Sequence, residues 1–180
     1  MKSSRNRGSA AKPAGLATFV DMFKVGVGPS SSHTTGPMVA ARRFALALGE
    51  GERDVAAVVA TLHGSLAWTG AGHWTDKAVT LGLGGAAPET LTPEAAKDAL
   101  DRVRAERRLT LPAGATIPFD MARDVKFDRR TKFERHPNAM TFEAFAPGGA
   151  SLRKEVWYSV GGGFVEREGD PPAAAADAPS

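Results

Sequence analysis

The spacing of apolar residues changes about halfway along the chain, and this change predicts a mixed α/β fold. Residues 37–48 have helical spacing, with Pro37 in the first turn and a helix end at Gly49. The run DVAAVVATL, residues 54–62, is apolar throughout and rich in valine. We interpret it as a strand covered on both faces, although a buried helix has the same signature.

Two further helices are expected before residue 108. One begins near Thr75 and ends among the glycines at 82, 84 and 85. The other begins at Thr92-Pro93-Glu94, which provides a capping hydroxyl, a proline at the first helical position and an acid near the positive end of the helix dipole. Its apolar stripe is formed by Ala96, Ala99, Leu100 and Val103.

The second half alternates with a period of two, which is typical of strands. Candidate strands are 125–127, 140–144 and 152–160, with a hairpin connection at 147–149. We therefore expect one mixed-sheet α/β (α+β) domain over residues 16–168, with antiparallel strands in its C-terminal half. The flanking segments 1–15 and 169–180 are rich in Ser, Gly, Ala and Pro, and we expect them to be disordered tails.

The composition of the 180 residues excludes several classes of protein. Because the chain has no cysteine, disulfides, a thiol nucleophile and an iron–sulfur cluster held by its own thiolates are excluded. No apolar run approaches the roughly 18 residues of a membrane helix, so we expect no membrane partner. The N-terminal stretch lacks the apolar segment of a secretory signal, and we expect a cytoplasmic protein.

The positive net charge of +3 is local to the N-terminus. Residues 1–15 contain four bases and no acid, which leaves 19 bases and 20 acids in the remainder. The segment 123–135 has six bases and three acids, which is more typical of a solvated strand face than of an RNA surface. Nucleic acid is therefore not an expected partner, and an RNA-binding module is a remote alternative.

The loop VGVGPSSSHTTG, residues 25–36, is the densest chemical signal in the sequence. Its glycines permit close approach of the backbone to a ligand, and its hydroxyls and imidazole can bind polar groups. Candidate residues are Ser30, Ser31, Ser32, His33 and Thr34. A helix follows, whose free N–H groups would favour an anion. The alternative is a flexible polar loop whose serines merely cap the helix.

Three later segments carry similar residues. The first, HGSLAWTGAGH, provides His63, Ser65 and His73, although His73 and the nearby Asp76 are equally explained as helix-capping groups. The second contains Asn138, which either binds a carboxylate or ammonium or belongs to an ordinary turn. The third, residues 158–164, has three glycines that permit a bulge or close packing against another chain.

Two other types of site fit the sequence poorly. All four histidines lie in polar segments, but their spacing is not that of zinc ligands, so we expect no metal held by this chain. A Ser–His–Asp triad is disfavoured because no strained G-x-S-x-G elbow is present.

The order of these segments resembles the β domain of bacterial iron–sulfur L-serine dehydratases. The resemblance covers residues 18–165 and is carried by FVDMFKVGVGPSSSHTTGPM at 19–38, LHGSL at 62–66, GAGHWTD at 70–76, HPN at 136–138 and YSVGGGF at 158–164. The sequence departs at Ala71, where many members have lysine, and at Ala139, where glycine is expected.

The resemblance implies deamination of L-serine to pyruvate and ammonia without pyridoxal phosphate. It implies a [4Fe–4S] cluster held by a separate cluster-binding α domain or subunit, and a fold like the allosteric substrate-binding domain of phosphoglycerate dehydrogenases. His33 and His63 are then candidates for proton transfer, and substrate would be held by Ser30, Ser31, Ser32, Thr34, Ser65, His73 and Asn138. We expect a homo-oligomer and an inactive isolated chain. The alternative is a non-catalytic serine-binding regulatory or oligomerisation domain.

Overall fold

Helices and strands alternate along residues 31–51 and 54–171, which the computed structural model describes. In chain order the elements are α1 (Thr35–Gly51), β1 (Ala57–His63), α2 (Gly64–Thr69), α3 (Thr75–Leu83), α4 (Pro93–Glu106), β2 (Arg108–Thr110), β3 (Thr116–Pro118), α5 (Met121–Asp124), β4 (Val125–Asp128), β5 (Ala139–Phe145), β6 (Ser151–Gly161) and β7 (Phe164–Arg167). The fold class is therefore mixed helix and strand, as predicted.

The principal sheet is mixed and has the strand order β4-β1-β5-β6-β7. Strands β5, β6 and β7 are antiparallel neighbours, which confirms the predicted C-terminal half. Strand β1 pairs antiparallel with β5 and parallel with β4. The local pattern did not predict this parallel pairing, because it joins segments more than 60 residues apart. The expected relation to the phosphoglycerate dehydrogenase domain stays a prediction.

Strand β1 confirms the predicted strand but not its burial on both faces. Val58, Ala60 and Leu62 are buried and pack in the same core as Phe44 of α1. The alternating residues, such as Val59 and Thr61, are only partly buried. The expectation of two covered faces was therefore wrong. Valine and alanine occur on both faces of the strand, but the buried helical residues of this core pack against only one of these faces.

Helix α1 extends past its predicted end, where Gly49 packs against the turn between β2 and β3. Gly49 remains helical, and a Cβ atom there would lie 2.9 Å from the Cβ of Ala113. Gly82 of α3 is similar, since its Cβ would lie 2.3 Å from the carbonyl oxygen of Met38. These glycines therefore permit close approach between elements and do not simply terminate helices. In the core, the rings of Phe44 and Phe142 stack 5.4 Å apart.

Other local predictions have mixed outcomes. Helix α4 is confirmed, and the Thr92 hydroxyl accepts a hydrogen bond from the Ala95 N–H at 3.2 Å. The segment after β1 is not wholly a loop as expected, because residues 64–69 form α2 with Leu66 and Ala67 buried beneath it. Packing of these two side chains stabilises a helix too short to form by itself.

The predicted domain limits and tails are tested only in part. Residues 1–15 and 172–180 lie outside the described residues, as do residues 16–30 of the predicted domain. Of the C-terminal tail, residues 169–171 are described, and Asp170 pairs with Arg167. Among the helices that can be described, none combines the length and apolar character needed to cross a bilayer.

Candidate functional site

The polar segments singled out in the sequence meet where β1 ends. The Ser65 N–H donates to the Pro137 carbonyl at 2.9 Å, and the Ser159 N–H donates to the Asn138 carbonyl at 2.9 Å. At the start of α1, Thr35 lies against Gly163. This edge of the sheet therefore gathers all four segments, which are far apart in the chain.

His33 lies at the centre of this edge. Its Nδ1 atom is 3.0 Å from the Ser32 hydroxyl, and its Nε2 atom is 3.0 Å from the Ser65 hydroxyl. The ring centroid of His73 is 5.1 Å from that of His33. The structure therefore brings Ser32, His33, Ser65 and His73 together.

The environment of His33 favours a neutral imidazole. Burial lowers the pKa of His33 below its ordinary value of 6.5, and the nearby charge of His73 lowers it further. A neutral ring hydrogen-bonded to hydroxyls on both nitrogens has one nitrogen that accepts a proton. His33 is therefore suited to act as a general base at neutral pH.

Two threonines hold the His33 turn against the segment before α3. The Thr34 hydroxyl donates to the His73 carbonyl at 3.2 Å, and the Thr75 hydroxyl donates to the His33 carbonyl at 2.5 Å. Both side chains are buried. Thr34 thus joins two turns of the protein, and its predicted role in substrate binding stays a prediction. Sequence reasoning identified Thr75 only as a helix start.

The start of α1 differs from the predicted anion cradle. The Gly36 N–H donates to the Ser31 carbonyl at 2.9 Å, and the Met38 N–H donates to the Thr34 carbonyl at 3.0 Å. Pro37 has no N–H to donate. These two backbone donors are therefore already used within the chain, and the binding of an anion at this helix start stays a prediction. Hydroxyls and imidazoles remain as the groups that can bind a ligand.

Glycines bring the elements of the site into contact. A Cβ atom on Gly36 would lie 2.0 Å from the Ser159 hydroxyl oxygen, and one on Gly64 would lie 2.2 Å from the Pro137 carbonyl oxygen. Gly64 also has a φ of +54°, a backbone conformation that residues with a side chain rarely adopt. The glycines at 161–163 form the turn between β6 and β7, and a register shift between Ser159 and Gly161 gives one of the arrangements that the sequence permitted, a bulge.

His63 ends β1, at the predicted edge, but its side chain is bonded to residues other than His33. Its Nε2 atom is 3.0 Å from the Thr141 hydroxyl, and its Nδ1 atom is 3.4 Å from Oδ2 of Asp128. The ring of Phe133 packs edge-on at 4.9 Å. Because residues alternate along β1, this cluster lies on the sheet face opposite to Leu62 and the helix-covered core.

The His63 pair combines a shielded imidazole with a strongly acidic carboxyl. Burial lowers the pKa of His63, and Asp128 opposes this shift. Hydrogen bonds from the Thr131 hydroxyl and from the N–H groups of Arg130 and Thr131 lower the pKa of Asp128 to about 2. Sequence reasoning missed Asp128 and Thr141, because only the β4-β1-β5 register places them beside His63.

The remaining candidates have separate positions. The Asn138 side-chain amide donates to the Ser159 carbonyl at 3.3 Å, so this group joins the ends of two strands. Asp76 lines a cavity of about 390 Å³ with Arg104 and Asp120, between α3, α4 and α5. Trp74 is the N-cap of α3 without a side-chain capping bond, and Asp76 lies in the first turn of that helix, where an acid is favourable. Ser30 lies outside the described residues.

The residues of this chain do not fit an iron–sulfur cluster. The sequence has no cysteine to provide thiolates. Within 31–51 and 54–171, no three His, Asp or Glu side chains are grouped closely enough to hold a metal ion. A cluster would have to be held by residues outside this sequence.

Comparison with known proteins agrees with the resemblance seen in the motifs. Residues 18–170 match the serine dehydratase beta chain family. L-Serine dehydratase of Streptomyces coelicolor is 45% identical over 150 residues, which are 82% of this chain and 33% of that protein. L-Serine dehydratase of Helicobacter pylori is 44% identical over 155 residues, 85% of this chain and 34% of that protein. L-Serine dehydratase 2 of Escherichia coli is 36% identical over 158 residues, 85% of this chain and 34% of that protein.

The match therefore covers most of this chain but spans about a third of the length of these curated relatives. The motif segments converge at one edge of the sheet, and the match includes every one of them. The chain belongs to the serine dehydratase beta chain family.

Proposed function

We propose that this chain provides the β portion of an iron–sulfur L-serine dehydratase, which converts L-serine to pyruvate and ammonia without pyridoxal phosphate. The names of the relatives support serine deamination as the reaction. The observation that carries the proposal is His33, held between two hydroxyls beside a second imidazole at the edge of the sheet.

The reaction requires a base for the α-proton of serine. Loss of this proton and of the β-hydroxyl gives aminoacrylate, which water hydrolyses to pyruvate and ammonia. His33 accepts the α-proton at one ring nitrogen, since its lowered pKa leaves the ring neutral. The Ser65 and Ser32 hydroxyls hold the ring in place and bind the polar ends of serine with Ser30 and Ser31.

The other predicted residues have supporting roles. His73 faces His33, and we assign to it the contact with the substrate carboxylate. His63 is 6% exposed and bonded to Thr141, so we assign proton transfer to His33 in preference to His63. Asn138 positions the β6 end beside the site.

The proposed cofactor is a [4Fe–4S] cluster held by a cluster-binding α domain or subunit. A bound iron ion activates a hydroxyl leaving group as a Lewis acid. This chain lacks the thiolates for such a cluster, so we expect it to be inactive when isolated. We further propose a cytoplasmic homo-oligomeric enzyme with no nucleic-acid or membrane partner.

The test is an anaerobic assay of pyruvate formation from L-serine. This chain and the cluster-loaded α polypeptide of the same organism are assayed separately and together. The proposal expects pyruvate only from the mixture. Pyruvate from the isolated chain would contradict the assigned division of roles, and its absence from a stable mixture would reject the reaction.

Calorimetry with L-serine distinguishes the regulatory alternative. A serine-binding regulatory domain would bind L-serine without the partner, and the mixture would form no pyruvate. The β portion of an enzyme completes its site only with the partner, so the isolated chain should give little heat.

A further inference from the structure

Two aromatic side chains are unusually exposed beside the candidate site. The exposed fraction of Trp68 is 66%, and that of Phe164 is 73%. They are the most exposed large apolar side chains within residues 31–51 and 54–171. Because burial of such rings is strongly favourable, their exposure indicates a surface for a partner.

Trp68 lies above the β4 end of the sheet. It belongs to α2, three residues after Ser65, whose hydroxyl bonds to His33. The Arg129 guanidinium lies 5.2 Å from the centre of its ring. Arg129 directly follows β4, so Trp68 lies beside the end of this outer strand of the sheet.

Phe164 lies at the β7 end of the same edge. It begins β7 after the Gly161–Gly163 bulge, and Gly163 lies against Thr35 at the start of α1. Val160 of β6, just before the bulge, is 38% exposed and extends the apolar surface. Because Thr35 is only two residues from His33 in the chain, this apolar surface lies next to the His33 turn.

The two rings lie on opposite sides of the His33 turn. Strands β4 and β7 are the outer strands of the sheet, with three strands between them. At about 4.8 Å per strand, their ends are roughly 19 Å apart. A partner that contacts both rings therefore also covers His33 and Ser65.

The area of the rings is substantial for an anchor. At about 150–250 Å² buried per aromatic side chain, the exposed parts of the two rings present roughly 200–350 Å². A typical stable interface buries about 800 Å² on each partner. Two such rings thus provide a large share of one interface, and tryptophan is enriched among the residues that dominate binding.

We propose that Trp68 and Phe164 anchor the cluster-bearing α polypeptide, so that docking of this partner also encloses the His33 site. This inference rests on the proposed function. This chain matches about a third of each relative, and the rest of each relative's sequence is about twice as long. We take the counterpart of that remaining sequence to be the partner that binds this surface.

Charge around Trp68 favours this occupant over a second copy of the chain. Arg129 lies against the ring, and the bases that follow it in the chain, Arg130 and Lys132, are exposed. A two-fold contact between identical copies would bring these bases together around the anchor. The structure instead fits a partner with apolar sockets for the two rings and an acidic rim near Trp68.

Binding of the cluster-loaded α polypeptide to immobilised chain, measured anaerobically, tests the proposal. We expect Trp68→Ser and Phe164→Ser each to weaken binding about 30-fold or more, as for dominant interface residues. Leu46→Ser is the matched control, because Leu46 is 38% exposed on α1 about 16 Å along the helix from its start. Unchanged affinity of both aromatic variants, with folding shown by circular dichroism, would overturn the anchors.

Quenching of tryptophan fluorescence by acrylamide gives a second readout. Trp157 is buried and Trp74 is partly buried, so the exposed Trp68 should contribute most to the quenching of the free chain, and the partner should suppress the part that Trp68→Ser removes. Sedimentation of the chain alone tests the competing occupant. A dimer that Trp68→Ser or Phe164→Ser dissociates would assign the surface to a second copy and overturn the proposal.

The two proposals fail in different ways. If the complex depends on both rings but forms no pyruvate from L-serine, the docking surface stands and the proposed reaction is wrong. If Trp68→Ser and Phe164→Ser bind and turn over serine like the unmodified chain, the reaction stands and the docking surface is wrong.

Discussion

The Nε2 atom of His33 lies 3.0 Å from the Ser65 hydroxyl, although the two residues are 32 positions apart in the chain. His33 precedes the first described helix, and Ser65 follows the first strand of the sheet. Their hydrogen bond therefore joins the two glycine-containing segments that the sequence identified separately. It also orients the imidazole that the proposed reaction uses as a base.

Replacement of His33 should remove most of the activity of the complete enzyme. General bases typically contribute about 10²–10⁴-fold to rate, so we expect His33→Ala to lower kcat/KM by a factor in this range. Ser65→Ala, which only frees the ring, should have a smaller effect. Pyruvate formation with the α polypeptide measures both, with Asp98→Ala on exposed α4 as the control. Full activity in His33→Ala would exclude the proposed base.

The pH profile should report the contact between His33 and His73. The base must be neutral, and its pKa is lowered below 6.5, so kcat/KM should rise with pH on an acid limb whose midpoint is below 6.5. His73 contributes to this lowering. His73→Ala should therefore move the midpoint to higher pH. A midpoint that does not move would contradict the electrostatic role of His73.

Gly36→Ala should destabilise the fold through a clash with Ser159. The added Cβ would lie 2.0 Å from the Ser159 hydroxyl oxygen and 2.9 Å from its Cβ. Overpacking of this kind costs about 1–3 kcal/mol of unfolding free energy. Ser159→Gly removes both atoms, so the cost of Gly36→Ala should be smaller in that background. Urea unfolding of the four proteins measures the difference, and equal costs in both backgrounds would refute the contact.

His63→Ala should lower stability, and its effect should depend on pH. The substitution removes the hydrogen-bond partner of the Thr141 hydroxyl, which costs about 1–3 kcal/mol, while Asp128 keeps its bonds to Arg130 and Thr131. Folding lowers the pKa of His63 below its ordinary value of 6.5. As the pH falls below 6.5, His63 is therefore protonated in the unfolded chain before it is protonated in the folded chain, and this favours unfolding. Stability of the unmodified protein should therefore fall below pH 6.5, and His63→Ala should remove part of that fall. Thermal unfolding between pH 5 and pH 8 provides the measurement.

Asp128→Asn should reduce resistance to acid. The folded pKa of Asp128 is about 2 and its ordinary value is 3.8, so its contribution is present above pH 3.8 and is lost as pH falls toward 2. The difference in Tm between the unmodified protein and Asp128→Asn should shrink over this interval. Asp98→Asn on exposed α4 is the control. A difference in Tm that is constant with pH would show that the carboxylate charge is not responsible.

Local patterns predicted most of the elements because their signals are short-range. The Thr92-Pro93-Glu94 start of α4 and the alternation along β5 and β6 need no distant contact, and the structure confirms them. Helix α2 was missed because Leu66 and Ala67 acquire helical support only on packing into the core. The end of α1 was misplaced because a glycine that permits close packing has the same sequence signal as one that ends a helix.

The sequence by itself determined the family and the polar residues available for chemistry, because motif identity and residue type are written directly in the chain. Only the tertiary structure decided which of them meet. Sheet register directs His63 to Asp128 and Thr141 on one face, while the turn before α1 brings His33 to Ser65 and His73. That choice depends on pairing and packing between segments 30 to 80 residues apart, and no local pattern encodes it.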